Sequence, residues 1–270
     1  MKLVIAEKPS VAMALAKVVG ARERKDGYVE GKEYLISWCV GHLVAFCDAS
    51  EYDERYKKWR YEDLPIIPEE WKRKVLDGTK KQFQILKKLM NSKEVDEVIC
   101  ATDAGREGEL IFRLVYEQAG CKKPVKRLWI SSMEERAIKE GFASLKDGSC
   151  YEDLYQSALC RAKADWLVGI NASRLFSVLY NQNLKVGRVQ TPTLAMIVDR
   201  NQKVKEFVKE KYYVAHLTFG EFDAVSEHFQ KKEEADQVAA DCSERMCQVE
   251  KEDVQTKTVR APKLYDLTSL

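Results

Sequence analysis

Short apolar runs separated by amphipathic stretches dominate the first 150 residues. Three runs rich in Val, Ile and Leu have the pattern of strands buried on both faces, at 2–6, 95–101 and 125–130. Stretches with apolar residues at three- and four-residue spacing predict helices at 10–20, 79–91, 109–118 and 134–145. Ser10 is the predicted N-cap of the first helix, and Gly20 its end. Strands alternating with helices predict an α/β fold, a Rossmann-like parallel sheet with helices on both faces.

A period-two pattern at 27–47 predicts additional strands, with a turn at Gly41 and His42. Residues 48–72 are charged, carry prolines at 65 and 68, and predict an excursion from the sheet. His42 occupies a position where a histidine is usually a turn or core residue. Trp38, Trp129 and Trp166 lie in apolar patterns and are predicted to be core residues.

Gly148 and Ser149 mark a predicted domain boundary. The following elements are helices at 151–180 and 191–207, a strand at 212–219, a helix at 232–242 and a strand at 246–259. Gly169 is a candidate break in the first of these helices. The predicted domains are an α/β domain at 1–150, a mainly helical one at 151–211 and the start of a β-rich one at 212–270.

Composition narrows the class of protein. A chain of 270 residues with 45% hydrophobic and 33% charged residues is typical of a globular protein, and no apolar run reaches the roughly 18 residues of a membrane span. The 45 basic and 43 acidic residues nearly cancel, so any nucleic-acid surface has to be a local patch. The eight cysteines form no C-x-x-C pair, which argues against a zinc site. We expect a cytoplasmic monomer.

Acidic residues follow two of the predicted strands. Glu7 comes directly after the first strand, Asp103 follows the second, and Glu107 comes four residues later. Parallel strands end at one edge, so the three carboxylates are expected to converge there. Mutual repulsion would be relieved by Mg²⁺, which prefers carboxylate oxygens and suits phosphoryl transfer. Lys8 would add a positive charge beside a phosphate. The plainer interpretation is that such residues cap helices.

Glycines in the turn after the second strand do not form a nucleotide site. Gly105 and Gly108 fit neither G-x-G-x-x-G nor G-x-x-x-x-G-K-[ST], and neither pattern occurs elsewhere. No nucleotide cofactor is expected.

Several stretches, taken together, resemble the type IA DNA topoisomerases. In chain order they are IAEKPSVA at 5–12, GHLV at 41–44, ATDAGREGELIFR at 101–113, RLWISSMEERAI at 127–138, LCRAKADWLVGINASRLFS at 159–177, KVGRVQTPTLAMIVDRN at 185–201 and PKLYDLTSL at 262–270. The first and third resemble the Toprim domain, and the Glu-Lys-Pro-Ser start resembles the topoisomerase III subtype.

The resemblance implies an enzyme that cleaves and rejoins single DNA strands by Mg²⁺-assisted transesterification, without ATP. It implies that Glu7 donates a proton to the leaving 3′ oxygen, that Lys8 and Arg188 contact the phosphate, and that Asp103 and Glu107 bind Mg²⁺ with Glu7 nearby. The DNA-binding residues that it implies are Arg188, Gln190, Thr191, Thr193, Arg161, Asp165, Asn171, Ser173, Arg174 and, near the active site, His42. Such a protein would be nucleoid-associated.

Two departures from the family pattern matter. Gly105 stands where the family usually has a second Asp, so we expect one Mg²⁺, with help from Glu7 or Glu109. None of the twelve tyrosines has the Pro-Arg-Thr-like context of the family's nucleophile, so the chain is expected to be an N-terminal fragment inactive in cleavage. The alternatives are a Toprim nuclease or primase-like enzyme and a non-catalytic single-stranded DNA-binding module.

Overall fold

The computed structural model describes residues 1–220, 222–243, 245–246, 248, 252–259 and 261–262. It divides into two compact units, Met1–Val198 and Asp199–Leu270. The described strands are β1 (Lys2–Ala6), β2 (Glu23–Lys25), β3 (Tyr28–Glu30), β4 (Tyr34–Trp38), β5 (Val44–Phe46), β6 (Arg73–Val75), β7 (Glu97–Ala101), β8 (Val125–Arg127), β9 (Lys146–Asp147), β10 (His216–Phe219) and β11 (Phe222–Val225). The helices are α1 (Pro9–Val19), α2 (Lys80–Met90), α3 (Arg106–Gln118), α4 (Glu135–Ala143), α5 (Glu152–Tyr180), α6 (Gln190–Lys205) and α7 (Lys232–Cys242).

Seven strands form the main sheet of the first unit, in the order β2-β3-β4-β1-β7-β8-β9. The four central strands, β4, β1, β7 and β8, are parallel, with Leu3 opposite Leu35 on one side and Val98 on the other. The edge strands pair antiparallel, so the predicted parallel sheet is in fact mixed. On one side the antiparallel pairing arises because β2, β3 and β4 are joined by turns too short for a parallel crossover, and on the other side β9 returns antiparallel to β8 after α4.

Helices cover both faces of this sheet, as the sequence predicts. Leu3 and Ile5 of β1 pack on one face with α2, α3 and α5, and Val4 and Ala6 pack on the other with α1 and α4. The division follows from the two-residue period of a strand, which sends alternate side chains to opposite faces. All four side chains are fully buried, so β1 is the centre of the core.

Two helices begin earlier than predicted. The N-cap of α1 is Lys8 and not Ser10, because Pro9 occupies the first helical turn, where its missing N–H costs nothing. Helix α3 begins at Arg106, with Gly105 as its N-cap, which places Glu107 and Glu109 in its first turn. The negative charges there face the positive end of the helix dipole.

Helix α5 is continuous for 29 residues, so the predicted break at Gly169 is wrong. A Cβ at Gly169 would lie 3.9 Å from the carbonyl oxygen of Val186, an ordinary contact. The chain after α5 thus folds back against the helix at Gly169 without interrupting it.

Contacts with α5 hold the 48–72 excursion in place. The side chain of Asn171 accepts a hydrogen bond from the amide of Ile66 at 2.6 Å and donates one to its carbonyl at 2.9 Å. The indole of Trp166 donates to the carbonyl of Cys47 at 2.9 Å. These bonds satisfy backbone groups of a loop that has little regular structure of its own.

The second unit contains an antiparallel pair, β10 with β11, and helix α7. The predicted strand at 212–219 forms only from His216 onward, after a single bridge between Tyr213 and Phe229. Residues 252–259, part of the predicted strand at 246–259, are not in a strand. The stretch PKLYDLTSL lies outside the described residues after Pro262. No described helix is both long and apolar enough to cross a membrane.

Candidate active site

Glu7 and Asp103 meet at the carboxyl ends of two neighbouring strands. Ala6 of β1 is paired with Ala101 of β7, so the residues that follow each strand emerge side by side. The backbone amide of Asp103 donates a hydrogen bond to Oε2 of Glu7 at 3.2 Å. Residues 96 positions apart thus come together as the sequence predicts.

Burial at this edge changes the acidity of Glu7. Partial burial raises the pKa of its carboxyl group above the ordinary value, and the negative charge of Asp103 adds to the rise. The hydrogen bond from the Asp103 amide and the positive charges of Lys8 and His42 act in the opposite direction. A carboxyl group that retains its proton more readily is suited to act as a general acid.

Glu107 contacts His42 and not the other carboxylates. Its Oε1 lies 2.8 Å from Nε2 of His42, and both side chains are exposed to solvent. His42 follows β4 and Glu107 lies in the first turn of α3, so the contact joins a third segment to this edge. The side chain of His42 therefore lies at the candidate site and not in the core.

The turn between β7 and α3 depends on close backbone approach. A Cβ at Gly108 would lie 2.3 Å from the carbonyl oxygen of Asp103, so only glycine fits there. The hydroxyl of Thr102 donates to the carbonyl of Gly108 at 2.7 Å and closes the turn. Gly105 has open space around it and an extended backbone that any residue can adopt.

A buried arginine, which the sequence reasoning missed, supports this turn from below. Arg127 at the end of β8 is fully buried and donates to the carbonyls of Cys100, Thr102 and Leu128 from Nη1, and to that of Asp103 from Nη2 at 2.7 Å. Its Nε lies 3.0 Å from Oε2 of Glu109, a charge contact without the alignment of a hydrogen bond. The sequence feature that could have revealed it is an arginine within the apolar run at 125–130.

Glu109 cannot assist a metal ion in this arrangement. It is buried, and Arg127 and Arg113 both pair with it, the latter at 3.0 Å. The expectation that Glu109 helps to hold Mg²⁺ is therefore wrong. Its single carboxylate is shared between two guanidinium groups beneath the turn.

The donor set at the edge fits a hydrated divalent cation only in part. Within the described residues no three His, Cys, Asp or Glu side chains are grouped closely enough to form a ready metal cage. The carboxylate of Asp103 is exposed and has no hydrogen-bond or ion-pair partner in the described part of the chain, while Glu107 is paired with His42. Two accessible carboxylates suit Mg²⁺, which keeps several of its waters.

Arg188 is held by helix α5. Its Nε lies 2.6 Å from Oδ1 of Asp165, and Arg161 approaches the other oxygen at 3.6 Å. The Arg188 guanidinium lowers the pKa of Asp165. In the described part of the chain Arg188 forms no ion pair with Glu7, Asp103 or Glu107. The sequence placed Arg188 beside these carboxylates, and the structure shows no direct contact between them.

Three residues predicted to bind DNA have structural partners within the chain. The side-chain amide of Asn171 is hydrogen-bonded to the backbone of Ile66. The hydroxyl of Ser173 both donates to and accepts from the backbone of Val186. Arg174 is buried, with its guanidinium 5.3 Å from the ring of Trp59. Such contacts position the loops around α5 and leave little of Asn171 or Ser173 free for a ligand.

The start of α6 exposes the remaining predicted DNA contacts. Gln190, Thr191 and Thr193 lie in its first turn, on the surface. The hydroxyl of Thr191 accepts from the amide of Gly187 at 3.0 Å, and that of Thr193 donates to the carbonyl of Val189 at 2.8 Å. The backbone amides of Thr191 and Thr193 donate to the carbonyls of Gly187 and Val189 at 3.1 Å each, so this turn offers a ligand mainly its exposed side chains.

The prediction that the three tryptophans are core residues is wrong for one of them. Trp129 is 42% exposed, because the chain leaves the sheet after Arg127. Its ring stacks on that of Tyr151 at 5.0 Å, and the Arg127 guanidinium lies 5.0 Å from it. Trp38 and Trp166 are partly buried.

Comparisons with known proteins find two family domains along the chain. A family model described as Toprim domain matches residues 2–133, and one described as DNA topoisomerase matches residues 149–270. The chain belongs to the type IA DNA topoisomerases. The Toprim match contains the whole carboxyl edge, from Glu7 to Arg127, and the second match contains α5, Arg188 and α6.

Similar bacterial proteins named DNA topoisomerase 3 support the assignment. That of Bacillus thuringiensis (strain Al Hakam) is 44% identical over 99% of this chain, and that of Staphylococcus epidermidis is 47% identical over 82%. The chain spans only 38% of the length of the former. The fold is similar to full-length topoisomerase I from Thermotoga maritima, with a TM-score of 0.56 and 22% identity over 87% of this chain and 37% of that one.

Proposed function

We propose that this chain supplies the acid, phosphate-binding and metal-binding half of a topoisomerase III active site acting on single-stranded DNA. The observation that carries the proposal is the contact between Glu7 and the Asp103 amide at the carboxyl edge, next to the Glu107–His42 pair. Burial has already shifted the pKa of Glu7 upward, as a proton donor requires.

The proposed reaction is a transesterification. A tyrosine hydroxyl attacks the phosphorus and releases its proton to solvent, the bond to the 3′ oxygen breaks, and that oxygen takes the proton of Glu7. Lys8, at the N-cap of α1, and Arg188 neutralise the phosphate oxygens. A divalent cation held by Asp103 and Glu107 would add to this charge neutralisation. Storing the bond as a phosphotyrosine ester makes resealing possible without a nucleotide.

Residues of α5 and α6 are proposed to position the strand. Arg188, oriented by Asp165, and the exposed turn of Gln190, Thr191 and Thr193 offer charge and hydrogen bonds to a phosphate backbone. The role of Asp165 would be to fix the guanidinium and not to touch DNA. A protein of this kind would act at the nucleoid.

A chimera tests the proposal directly. Residues 1–270 would replace the matching segment of the Bacillus thuringiensis relative, and relaxation of negatively supercoiled plasmid would be measured in Mg²⁺ without ATP. We expect relaxation by the chimera and its loss, by about 100-fold or more, on Glu7→Gln. Glu135→Gln, an exposed charge change on α4, is the matched control. A folded chimera in which Glu7→Gln relaxes plasmid normally would contradict the role of Glu7.

The rival functions predict different results. A Toprim nuclease would leave cut DNA without a covalent adduct, and a pure binding module would bind strands identically with Asp103→Asn and with Mg²⁺ removed. The match of the DNA topoisomerase model to 149–270 supports the first proposal over both.

A further inference from the structure

Basic and aromatic residues alternate in the excursion at 55–61, with the sequence RYKKWRY. Trp59 is 44% exposed and Tyr61 is 61% exposed, unusual for large rings in a loop held against a helix. Alternating cationic and aromatic side chains are typical of surfaces that bind single-stranded nucleic acid, through phosphates and stacked bases.

Two of the four cations in this segment are neutralised locally and two are not. Arg55 pairs with Asp53 at 3.2 Å and Lys57 with Glu54 at 2.6 Å. Lys58 and Arg60 have no ion-pair partner in the described part of the chain, and both are exposed. The uncompensated charges therefore lie immediately on either side of Trp59.

Trp59 also borders a shallow groove of about 430 Å³ with the end of α5 and the loop after it. Ser177, Asn181, Gln182 and Asn183 complete its lining. The Ser177 hydroxyl is used by the backbone of Leu184, but the three amide side chains make no hydrogen bond in the described residues. Amides carry the donors and acceptors that complement the edge of a nucleobase.

Beneath Trp59 lies a cation with unused hydrogen-bonding capacity. Arg174 is only 6% exposed, and its Nε and Nη1 have no hydrogen-bond partner. Asp63 influences Arg174 electrostatically, but it forms no ion pair within 4.0 Å and its own Oδ2 is unpartnered. Buried polar atoms are rarely left without a partner, so the charge of this guanidinium remains available to the Trp59 ring, 5.3 Å away.

We propose that Lys58, Trp59, Arg60 and the 181–183 loop bind an unpaired nucleotide of single-stranded DNA. The base stacks on the outer face of Trp59, the amides contact its edge, and Lys58 and Arg60 contact the flanking phosphates. Arg174 holds the indole in place from behind. The site shares no residue with the carboxyl edge and needs no metal ion, so it goes beyond the proposed function.

The site is placed so that one strand could touch both it and Arg188. Arg188 is anchored at Asp165, and Ser177 is 12 residues further along the same continuous helix. At 1.5 Å per residue the separation along α5 is about 18 Å, a span of several nucleotides. We therefore place Trp59 on the path of the strand beyond the scissile phosphate.

Binding of the intact chain to fluorescein-labelled (dT)₁₂, followed by anisotropy at low salt in EDTA, tests the site. We expect Trp59→Ala to weaken binding roughly tenfold and Trp59→Phe by much less, since a ring remains to stack. Lys58→Gln and Arg60→Gln should each weaken binding and reduce its salt dependence. Lys57→Gln is the matched control. It removes the same charge at the neighbouring position, but Lys57 is already paired with Glu54.

Other readouts separate a binding role from a structural one and from the proposed catalytic function. Photocrosslinking with 5-iodouracil strands should label a peptide containing Trp59, and duplex DNA should compete poorly. Unchanged binding by folded Trp59→Ala, equal losses for Lys57→Gln and Lys58→Gln, or crosslinks only elsewhere would overturn the inference. If Arg188→Ala alone abolishes binding, the inference fails while the proposed function stands.

Discussion

At the residue scale, one buried guanidinium organises the turn that presents Asp103. Arg127 binds carbonyl oxygens on both sides of this turn and faces the buried carboxylate of Glu109. These contacts neutralise a charge that would otherwise be costly inside the core. The acidic residues at the surface depend on it for their position.

Replacing Arg127 should therefore destabilise the protein strongly. Arg127→Met leaves Glu109 with Arg113 alone and removes donors from the buried carbonyls, so we expect a loss of about 3–5 kcal/mol in the free energy of unfolding, measured in urea. Arg136→Met, which breaks an exposed pair with Glu140 on α4, should cost less than about 1 kcal/mol. Equal effects of the two changes would show that the buried network does not support the turn.

The glycine at 105 offers a change that should improve the site. Its extended backbone and empty surroundings accept a side chain, and aspartate is a better N-cap for α3 than glycine. Gly105→Asp adds a carboxylate beside Asp103, and an extra charge at about 4 Å contributes on the order of 1 kcal/mol or more. We expect Mn²⁺ binding, measured by electron paramagnetic resonance, to tighten about fivefold or more.

Gly105→Asn is the control for this change, because it caps the helix equally well without adding charge. If Gly105→Asn tightened Mn²⁺ binding as much as Gly105→Asp, the gain would come from helix geometry and not from a third ligand.

At the element scale, helix α5 connects the parts of the first unit. Three of its side chains hold other segments: Asn171 binds the excursion at Ile66, Ser173 binds the backbone of Val186, and Asp165 pairs with Arg188. A helix with contacts all round shows no clear amphipathic pattern, which explains why a break at Gly169 looked plausible from the sequence. The hydrogen bonds of these polar side chains, rather than an apolar stripe, fix the position of each loop.

The continuity of α5 has a measurable consequence. Gly169→Ala should stabilise the protein by about 0.5–1 kcal/mol, because alanine favours a helix interior and the new methyl group meets only an ordinary contact. Gly141→Ala in α4 should do the opposite, since its Cβ would lie 2.5 Å from a methyl group of Ile130. Thermal unfolding of both variants measures the difference, and a destabilised Gly169→Ala would indicate that the helix bends there.

At the scale of the whole molecule, charge is nearly balanced, with a net value of +2. DNA binding must therefore come from local groups such as Arg188, Lys58 and Arg60, and should weaken with salt by an amount set by those few contacts. A globally basic protein would bind duplex and single strands with little distinction.

None of the tyrosines in this chain has the neighbouring residues typical of the family's nucleophile, and this leads to one prediction for the entire chain. Incubated with labelled single-stranded DNA and Mg²⁺, the chain should bind the strand but form no covalent adduct, while the Bacillus thuringiensis relative serves as the positive control. A labelled adduct resistant to denaturing electrophoresis would show that one of the twelve tyrosines can attack DNA.

The local elements, and the edge at which we propose that chemistry occurs, could be predicted from the amino-acid pattern alone. Apolar runs and helical periodicity identified the central strands β1 and β7 and the helices α2 and α7, because each reflects burial on a defined face. The same logic placed Glu7 and Asp103 together, since parallel strands end at one edge.

The partners of individual side chains could be assigned only from the folded structure. In the folded structure Glu109 pairs with Arg127, and Glu107 contacts His42. Trp129 is exposed, and Asn171 binds the backbone of the excursion. Partners of this kind are far apart in the chain and are selected by desolvation and geometry, which a linear pattern does not encode. For the same reason, the buried Arg174 under Trp59 became visible only when the excursion was seen against α5.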